Sequence, residues 1–401
     1  MSNQMKKIAV LFHANLDDRK GMTNAAINRF KYLLDILPSC IKTDALCTSY
    51  YDSKFLRLIR RKSKTVGTKR RKVDGINIDV YYRKFTLIDY LLKFKFKLEP
   101  IFLNRQIPKI SETLKNYDLV SAHSFLAGEI ALDTFKRYGI PYCITWHGSD
   151  INSMPFESTV INNKIRRIIE NAEVNFFVSK ALREKSDEVT KCGKKVVLYN
   201  GYSRDFYRYD DTKRLSIRHE YCKNIRTKIV AFVGNLIPVK NADLLPDIFL
   251  NIKNEYHHPL EFWIIGDGFL RQAIEKRLVE LGIRDDIKLF GNVIHSKMPD
   301  LMNCIDLLVL PSKNEGLPLV TVEAIQCGAM VVGSDVGGIS EAIGKNNVIS
   351  LGDDYEKRFA NKCIASLNGV YDFYVNDELD WNKTVQHEMA IYSEILNIQQ
   401  G

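Results

Sequence analysis

Short apolar runs alternate with helical patterns in both halves of the chain, and most runs end in a polar or glycine-containing turn. In the first half the runs predict strands at KIAVLFH, INIDVYYR, YDLVSAH, PYCITWH, VNFFVS and KVVLYN. In the second half they predict strands at KIVAFVGN, LEFWIIGDG, IKLFGNV, DLLVLPS, AMVVGSD and NVIS. First-half helices are predicted at 23–36, 107–116, 126–138, 158–171 and 179–191. This order of elements predicts an α/β fold with parallel sheets.

Chain length and patterning predict two domains and a closing helix. A chain of 401 residues is too long for one ordinary core, so domains of roughly 200 residues are expected. The polar, unpatterned stretch 202–226 predicts a linker between domains at 1–201 and 227–379. Residues 380–401 predict a final amphipathic helix, which has no strand after it and therefore has to pack on structure that is already formed. Its recurring apolar positions are Val385, Met389, Tyr392 and Ile395.

Composition predicts a globular protein of the cytoplasm. The apolar fraction is 45%, and no apolar run approaches the roughly 20 residues that cross a bilayer. The run KKIAVLF near the N-terminus is too short for a signal-peptide core. The eight cysteines form no C-x-x-C pair and show no zinc-like spacing with histidine, so reduced thiols are expected.

The net charge of +10 is concentrated in one segment, because residues 54–72 hold ten Lys or Arg and no acid. Charge of this density predicts an anionic partner such as a membrane surface, nucleic acid or polyphosphate. Apolar and aromatic residues are interleaved with the basic ones here and in 81–102, which favours peripheral contact with an anionic membrane at the inner face of the cell. A solvated loop is the alternative. Nucleic acid is not expected, because no binding motif accompanies the charge.

The candidate chemistry centres on residues 311–343, where Glu315 and Glu323 stand eight positions apart and Gly316 directly follows the first. The preceding strand is almost wholly apolar, so its carboxyl end lies at the edge of a buried parallel sheet. A helix is predicted to begin near Pro318, and its free N–H groups and dipole favour a phosphate. Carboxylates beside that phosphate can accept hydrogen bonds from sugar or ribose hydroxyls, which suits a sugar nucleotide. Two solvated surface carboxylates are the alternative.

Further motifs are VGNLIPVKNADLL, the GDG turn at 266–268, LFGNVIHSKMPDLMNCIDLLVLPS, and TWHGSD at 145–150. With them the chain resembles the retaining glycosyltransferases of family 4, most strongly at 228–343 and 381–395. That resemblance implies the GT-B fold, with two facing Rossmann-like domains, parallel sheets and a C-terminal helix that crosses back to the first domain. It also implies transfer from a nucleotide sugar, with UDP favoured over GDP, with retention of configuration and without a metal or other cofactor.

The resemblance assigns three residues to the transfer step. Lys240 would contact the donor diphosphate, Glu315 would lie near the donor sugar, and His147 would hydrogen-bond the sugar or its phosphate without acting as a general base. A single histidine is more often structural, but its place in TWHGSD favours the functional interpretation. Gly21 would approach the diphosphate from the helix start in KGMTNAAINRF, where the family often has two glycines.

The resemblance also implies a set of donor-binding residues in the second domain. They are Asn235, Gly266, Asn292, Val293, Gly316, Leu317, Leu319 and Glu323. Asn235 stands where the family usually has Arg, so one cationic contact is missing. Backbone groups near Asn292 would line the nucleobase, those after Gly316 would hold the phosphates, and Glu323 would bind the ribose hydroxyls.

The acceptor is predicted from the charge and location of the protein. A glycan acceptor, and specifically a lipid-linked intermediate of bacterial O-antigen or capsule synthesis, would suit a basic, aromatic-rich surface at a membrane. A transferase with a soluble acceptor is one alternative. A catalytically silent nucleotide-sugar-binding or scaffolding protein and a nucleic-acid-binding protein are the others.

Overall fold

The computed structural model describes residues 5–17, 21–60, 69–96, 98–222 and 224–398. The chain divides into two compact units. The first unit is Met1–Val178, Leu182–Leu198 and Trp381–Gly401, and the second is Ser179–Ala181 and Tyr199–Asp380. Each unit is organised around a sheet of its own.

In the described part of the chain, the sheet of the first unit has eight strands. They are β1 Lys6–His13, β2 Ile41–Asp52, β3 Arg70–Val73, β4 Ile76–Phe85, β5 Leu119–His123, β6 Tyr142–Trp146, β7 Val174–Phe177 and β8 Lys195–Val197. Their order is β3-β4-β2-β1-β5-β6-β7-β8, and all neighbours are parallel except β3 and β4. Strands β5, β6 and β7 are buried along their whole length, as the apolar runs predict for strands covered on both faces.

Strand β2 is missing from the sequence-based prediction, because IKTDALCTSYYD mixes polar and apolar residues without a regular alternation. In the structure it lies between β1 and β4 and pairs with both. Thr48 is buried within it, and its hydroxyl lies 2.9 Å from Nδ1 of His13 on β1. Pairing on both edges satisfies the backbone, so a strand forms here that the side-chain pattern does not indicate.

The helices between residues 21 and 185 are short apart from three. They are α1 Gly21–Asp35, α2 Lys54–Arg60, α3 Leu87–Tyr90, α4 Ile101–Asn104, α5 Ile107–Leu114, α6 Phe125–Tyr138, α7 Ser149–Asn152, α8 Thr159–Asn171 and α9 Lys180–Lys185. A π-helical turn, Leu91–Lys95, follows α3. The helix predicted at 179–191 is shorter than expected, because the hydroxyl of Ser186 bonds the carbonyl of Arg183 at 2.6 Å and a 3₁₀ turn begins there.

The sheet of the second unit is wholly parallel among the residues described. Its strands are β9 Lys228–Val233, β10 Leu260–Ile265, β11 Ile287–Gly291, β12 Leu307–Leu310, β13 Met330–Ser334 and β14 Val348–Ile349, in the order β11-β10-β9-β12-β13-β14. Its helices are α10 Asp211–Tyr221, α11 Leu245–Glu255, α12 Arg271–Glu280, α13 Met298–Cys304, α14 Leu319–Gln326, α15 Ile339–Ile343 and α16 Tyr355–Leu367.

The predicted linker 202–226 needs correction, since it contains α10 and belongs to the second unit. The Asp210 side chain accepts the N–H of Lys213 at 2.8 Å and caps the helix start. Arg218 is buried and donates to the carbonyl oxygens of Cys304 at 2.6 Å and Thr227 at 2.5 Å. Part of the attachment of this helix therefore consists of polar contacts to backbone carbonyls, which apolar periodicity does not indicate.

The last segment of the chain returns to the first unit as α17, Trp381–Ile395. It packs on α1, and the guanidinium Nε of Arg29 lies 2.6 Å from Oε2 of Glu388. The hydroxyl of Tyr392 donates to Ser121 Oγ at 2.7 Å and also contacts Glu388. Both members of the ion pair are buried, so α17 is held by polar as well as apolar contacts.

The basic segment 54–72 is described only in part, because residues 61–68 lie outside the described residues. The described portions are α2 and β3 with their flanking residues. Among the helices that the structure describes, none combines the length and the apolar character needed to cross a bilayer.

Candidate functional site

The second sheet reverses its strand order between β9 and β12. From β9 the chain adds β10 and β11 on one side, and from β12 it adds β13 and β14 on the other. In open α/β sheets a ligand crevice forms outside the carboxyl ends of the strands at such a reversal. The segments after β9 and β12 carry Lys240 and Glu315, so these two candidates lie where the topology favours a ligand.

Lys240 and Glu315 meet there as an ion pair. Nζ of Lys240 is 2.5 Å from Oε1 of Glu315, and the hydroxyl of Ser312 donates to the same oxygen at 2.8 Å. The exposed fractions of the two charged side chains are 21% and 11%, so the pair is partly shielded from water and from salt. An anionic phosphate approaching the ammonium would compete with the carboxylate of Glu315 for the same cation.

Glycine turns bring the loops after β9 and β10 into close backbone contact. Gly266 has φ +129°, and a Cβ built on it would lie 2.0 Å from the carbonyl oxygen of Gly234. A Cβ on Gly268 would lie 2.3 Å from the carbonyl oxygen of Leu236. Side chains at these positions would push the loops apart. The GDG turn therefore has a steric role in positioning the loop that leads to Lys240.

Two glycines that sequence reasoning missed hold the loop after β12. Gly337 has φ +52°, and a Cβ on it would lie 1.9 Å from the carbonyl oxygen of Glu315. The N–H of Gly338 donates to the carbonyl of Gly316 at 2.9 Å. The available signal was the pair of glycines shortly after the apolar strand β13, because such a pair marks a turn or a close backbone approach.

The loop then enters α14 at Leu319. Leu317 is buried and Leu319 is half-buried, so their side chains anchor the turn while its backbone forms the helix start. Pro318 occupies the N-cap position, and no described side chain caps this helix. The first N–H groups of α14 are therefore suited to an anionic ligand such as a phosphate.

Glu323 lies on α14 and is half-buried. No described residue forms a hydrogen bond or an ion pair with its carboxyl, and burial raises its pKa to about 7. Hydrogen bonds donated to the ionised carboxylate would favour that form and lower the pKa again. The group is therefore suited to accept hydrogen bonds from a diol.

His147 follows β6 in the first unit and lies against a second histidine. Its Nε2 is 3.2 Å from Nδ1 of His123, the last residue of β5, and the ring centroids are 5.4 Å apart. Burial, with a smaller effect of the Arg29 guanidinium, lowers the pKa of His147 to about 3. Burial and the neighbouring His147 hold the pKa of His123 well below its usual value. Both rings are thus neutral at pH 7 and act as hydrogen-bonding groups.

Sequence reasoning missed His123, although it ends an apolar strand in much the same way that His147 follows one. It also left Asp150 of TWHGSD without a role. The buried carboxyl of Asp150 accepts the N–H groups of His147 at 3.2 Å and Gly148 at 2.9 Å. Burial raises the pKa of Asp150 to about 6, and these backbone hydrogen bonds oppose the rise. Asp150 therefore fixes the turn that positions His147.

The other predicted residues lie on the expected elements. Gly21 opens α1 in the first unit, and a Cβ on it would meet no described atom within 4 Å, so glycine is not sterically required there. Asn235 is exposed after β9, and after β11 Asn292 is exposed while Val293 is half-buried. The candidates at the second sheet thus share one edge, whereas Gly21 and His147 belong to the first unit.

Among the residues that the structure describes, no group of three or more His, Cys, Asp or Glu side chains is arranged to hold a metal ion. Sugar transfer without a metal stays a prediction.

Each half of the chain matches a known protein family. The family described as Glycosyltransferase Family 4 matches residues 67–206, and the one described as Glycosyl transferases group 1 matches residues 227–368. The second match covers most of the second unit, including the Lys240–Glu315 pair and Glu323.

Two relatives illustrate the range of similar proteins. The chain is 27% identical over 276 residues to N-acetyl-alpha-D-glucosaminyl L-malate synthase of Bacillus anthracis, covering 68% of this chain and 70% of that protein. It is 26% identical over 235 residues to TuaC of Bacillus subtilis, a putative teichuronic acid biosynthesis glycosyltransferase. That match covers 57% of this chain and 56% of TuaC, so it spans little more than half of the relative.

A solved structure matches nearly the whole chain. Anabaena HepE, crystallised in complex with UDP-glucose, has a TM-score of 0.67 and 18% identity, covering 97% of this chain and 98% of HepE. At this identity the similarity establishes the fold. It confirms the two predicted α/β domains with parallel sheets.

Proposed function

The chain belongs to family 4 of the glycosyltransferases and has the GT-B fold, and from this premise we propose that it transfers a sugar from a UDP-sugar, in preference to a GDP-sugar, to a glycan acceptor with retention of configuration. The observation that carries the donor assignment is the edge of the second sheet. There the Lys240–Glu315 pair, the uncapped start of α14 and the carboxyl of Glu323 follow strands on both sides of the topological reversal. The complex of HepE with UDP-glucose supports the choice of a uridine nucleotide.

The proposed chemistry places negative charge on the leaving group. As the bond from the anomeric carbon to the phosphate oxygen breaks, the Lys240 ammonium and the N–H groups of α14 stabilise the departing diphosphate. The acceptor oxygen bonds to the same face of the anomeric carbon, and its proton passes to the leaving phosphate oxygen. This route retains configuration and needs no carboxylate nucleophile. Glu323 accepts hydrogen bonds from the ribose, and Glu315 lies beside the sugar and the lysine.

His147 stays a predicted contact to the donor sugar or its phosphate. Its lowered pKa makes the imidazole neutral, so it would contribute a directed hydrogen bond and no positive charge. The backbone contacts of Asp150 fix its position. The cationic contact expected of the family at Asn235 is absent, which leaves Lys240 as the assigned cation of the donor site.

For the acceptor we propose a lipid-linked intermediate of a bacterial surface polysaccharide, used at the inner face of the cell membrane. The similarity to TuaC, whose name refers to teichuronic acid biosynthesis, supports this class. A soluble acceptor is the second candidate, because the malate synthase relative is named for a small-molecule product. Paired assays with lipid-linked and water-soluble acceptors would distinguish the two.

The donor assignment is tested by thermal unfolding in the presence of UDP, GDP, ADP and their sugar conjugates. A ligand at 100 times its dissociation constant adds about 2.7 kcal/mol to the free energy of unfolding. We expect the uridine series to raise the melting temperature, and we expect Lys240→Ala to reduce that rise. A shift with another nucleotide series alone would overturn the UDP assignment. Uridine binding without hydrolysis or transfer would favour a silent nucleotide-sugar-binding protein.

A further inference from the structure

A small layer of helices covers one end of the first sheet. It comprises α2, α3 with its π-helical turn, and α4, and its inner side has a core of its own: Leu56, Phe85 and Leu103 are buried together, with Tyr90 packed against them. Asp89 ties the layer together, because its buried carboxyl accepts the N–H groups of Thr86 and Phe102 at 3.1 and 2.9 Å. The layer is thus a built substructure with a defined inner face.

The outer side of this layer is also apolar, which is unusual for a protein surface. On α2 the side chains of Phe55, Leu58 and Ile59 are 76%, 80% and 61% exposed, and their spacing places them on one side of the helix, away from buried Leu56. A helix with apolar residues on both sides is normally covered on both sides. Here the inner side is covered by the layer itself.

The second apolar group comes from a separate stretch of the chain. Phe94 and Phe96 are 52% and 57% exposed, and further exposed apolar residues of this stretch are Ile88, Leu91, Leu98, Ile101 and Phe102. The Arg60 guanidinium at the end of α2 lies 5.7 Å from the ring centroid of Tyr90, and the rings of Tyr90 and Phe94 are 5.0 Å apart. The two groups therefore adjoin, and we call the exposed side of α2, α3, the π-helical turn and α4 the α2–α4 face.

The exposed charges on this face are mainly basic. Lys54, Lys93 and Lys95 are exposed around the apolar side chains, and the Arg60 guanidinium is paired with the carboxylate of Asp52 at 3.0 Å. Between residues 87 and 98 the sequence has a single acid, Asp89, and it is buried with its oxygens bonded to the backbone. The face thus combines exposed Phe, Leu and Ile with an excess of positive charge from Lys54, Lys93 and Lys95.

We propose that the α2–α4 face docks on an anionic lipid bilayer, with its Phe, Leu and Ile side chains in the headgroup region and its Lys and Arg side chains on lipid phosphates. Both parts of the pattern are needed for this partner, since apolar insertion and attraction to anionic lipid add together. The cores of protein interfaces are depleted of lysine, which makes a protein partner a poorer fit. Nucleic acid offers no apolar phase for exposed leucine and isoleucine.

This inference goes beyond the proposed function, because it concerns a surface distinct from the donor site. It rests on the proposed function only in the idea that docking would bring a lipid-linked acceptor within reach.

A tryptophan reporter tests the proposal directly. The three native tryptophans, Trp146, Trp263 and Trp381, are fully buried, so they give a constant background. In Phe94→Trp we expect the added emission to shift to the blue with vesicles containing phosphatidylglycerol, and to be quenched by brominated lipid. Vesicles of pure phosphatidylcholine should bind much more weakly. An emission spectrum unchanged by the anionic vesicles would overturn the proposal.

Matched variants separate the two contributions. The triple change Phe55→Ser, Leu58→Ser and Ile59→Ser should lower vesicle partitioning at least roughly tenfold, because binding scales with the apolar area inserted. Lys93→Gln with Lys95→Gln should lower it roughly fivefold per charge on anionic vesicles. The control is Phe373→Ser with Val375→Ser, which removes side chains 79% and 64% exposed on the second unit and should leave binding unchanged.

The same variants are assayed for the UDP-induced shift in melting temperature, so that loss of docking is distinguished from failure of the donor site. Retained UDP binding with lost vesicle binding is the expected result for the triple variant. Unchanged vesicle binding in that variant would overturn the proposal. So would a homodimer that the triple variant abolishes, because a second copy would then cover the face.

Discussion

The Nζ atom of Lys240 lies 2.5 Å from Oε1 of Glu315, at the end of the second sheet where the strand order reverses. The cation assigned to the donor diphosphate is therefore paired with a neighbouring carboxylate. Donor binding has to compete with this pair, which makes the two residues interdependent.

Opposite effects on UDP binding are expected from changing the two partners. Lys240→Ala should lower the transfer rate by roughly 10²–10³-fold and weaken UDP binding, because the leaving diphosphate loses its cation. Glu315→Gln keeps the shape but removes the competing charge, so it should tighten UDP binding by roughly fivefold while transfer falls. Titration calorimetry and a transfer assay measure both. Lys253→Ala, which breaks a lysine–aspartate pair of 2.6 Å elsewhere in the second unit, serves as the control. Equal UDP affinity in all three variants would contradict the assignment.

The pH dependence of stability tests Glu323. Its pKa of about 7 in the folded state lies above the ordinary value of 4.5. The protonated carboxyl therefore stabilises the fold fully below pH 4.5, and that stabilisation is lost as the pH rises through 7. Relative to Glu323→Gln, the wild type should lose roughly 1–3 kcal/mol of unfolding free energy when the pH is raised from below 4.5 to above 7. Urea unfolding of both proteins at each pH provides the measurement, and a difference independent of pH would show that the carboxyl ionises normally.

Gly337 is expected to be essential for the shape of the donor loop. In Gly337→Ala the new Cβ has to displace the carbonyl of Glu315 and also adopt a left-handed backbone, so donor affinity should fall at least roughly tenfold. Gly282→Ala is the matched control, because Gly282 also has positive φ, at +68°, but a Cβ there meets no described atom within 4 Å. The control should cost roughly 1 kcal/mol of stability and leave UDP binding unchanged. Equal UDP affinity in the two variants would rule out the steric argument.

The buried pair of Arg29 and Glu388 is expected to govern attachment of α17 to the first unit. Glu388→Ala leaves the buried guanidinium without its carboxylate and should lower the unfolding free energy by roughly 3–5 kcal/mol. Glu394→Ala, on the same helix, removes an exposed partner 4.0 Å from Lys194 and should change it by less than about 1 kcal/mol. Denaturant unfolding compares the two. Similar small losses in both would mean that the buried pair contributes little.

Much of the fold could be predicted because its signals are local. The apolar runs correctly predict the positions of twelve of the described strands. Strands β2 and β3 are not predicted, because their residues lack a strand pattern and they form by pairing with neighbouring strands. The polar sequence of α10 predicts a linker, because part of its attachment consists of hydrogen bonds from buried Arg218 to distant carbonyls. Apolar periodicity detects neither kind of element.

In the candidate site, too, the sequence predicts the features with local signals and does not predict those that depend on distant contacts. The order of the motifs predicts Lys240 and Glu315 on loops and Glu323 on the helix that follows, all at one sheet edge, and the structure has them there. The sequence does not predict the contacts around the candidate residues. These are the pairing of Lys240 with Glu315, the packing of glycines 337 and 338 against the loop, and the contact of His123 with His147. Each of these depends on which strands become neighbours.

By itself, the sequence determined the α/β class, the two domains, the family and the loops that carry the candidate chemistry, because periodicity and turn residues act over a few positions. Only the tertiary structure decided that Lys240 is paired with a carboxylate 75 positions away, and that burial raises the pKa of Glu323 to about 7. It also decided that the apolar residues of two separate stretches adjoin on the α2–α4 face. Distances through space and the exclusion of water arise from strand order and packing, which no local pattern encodes.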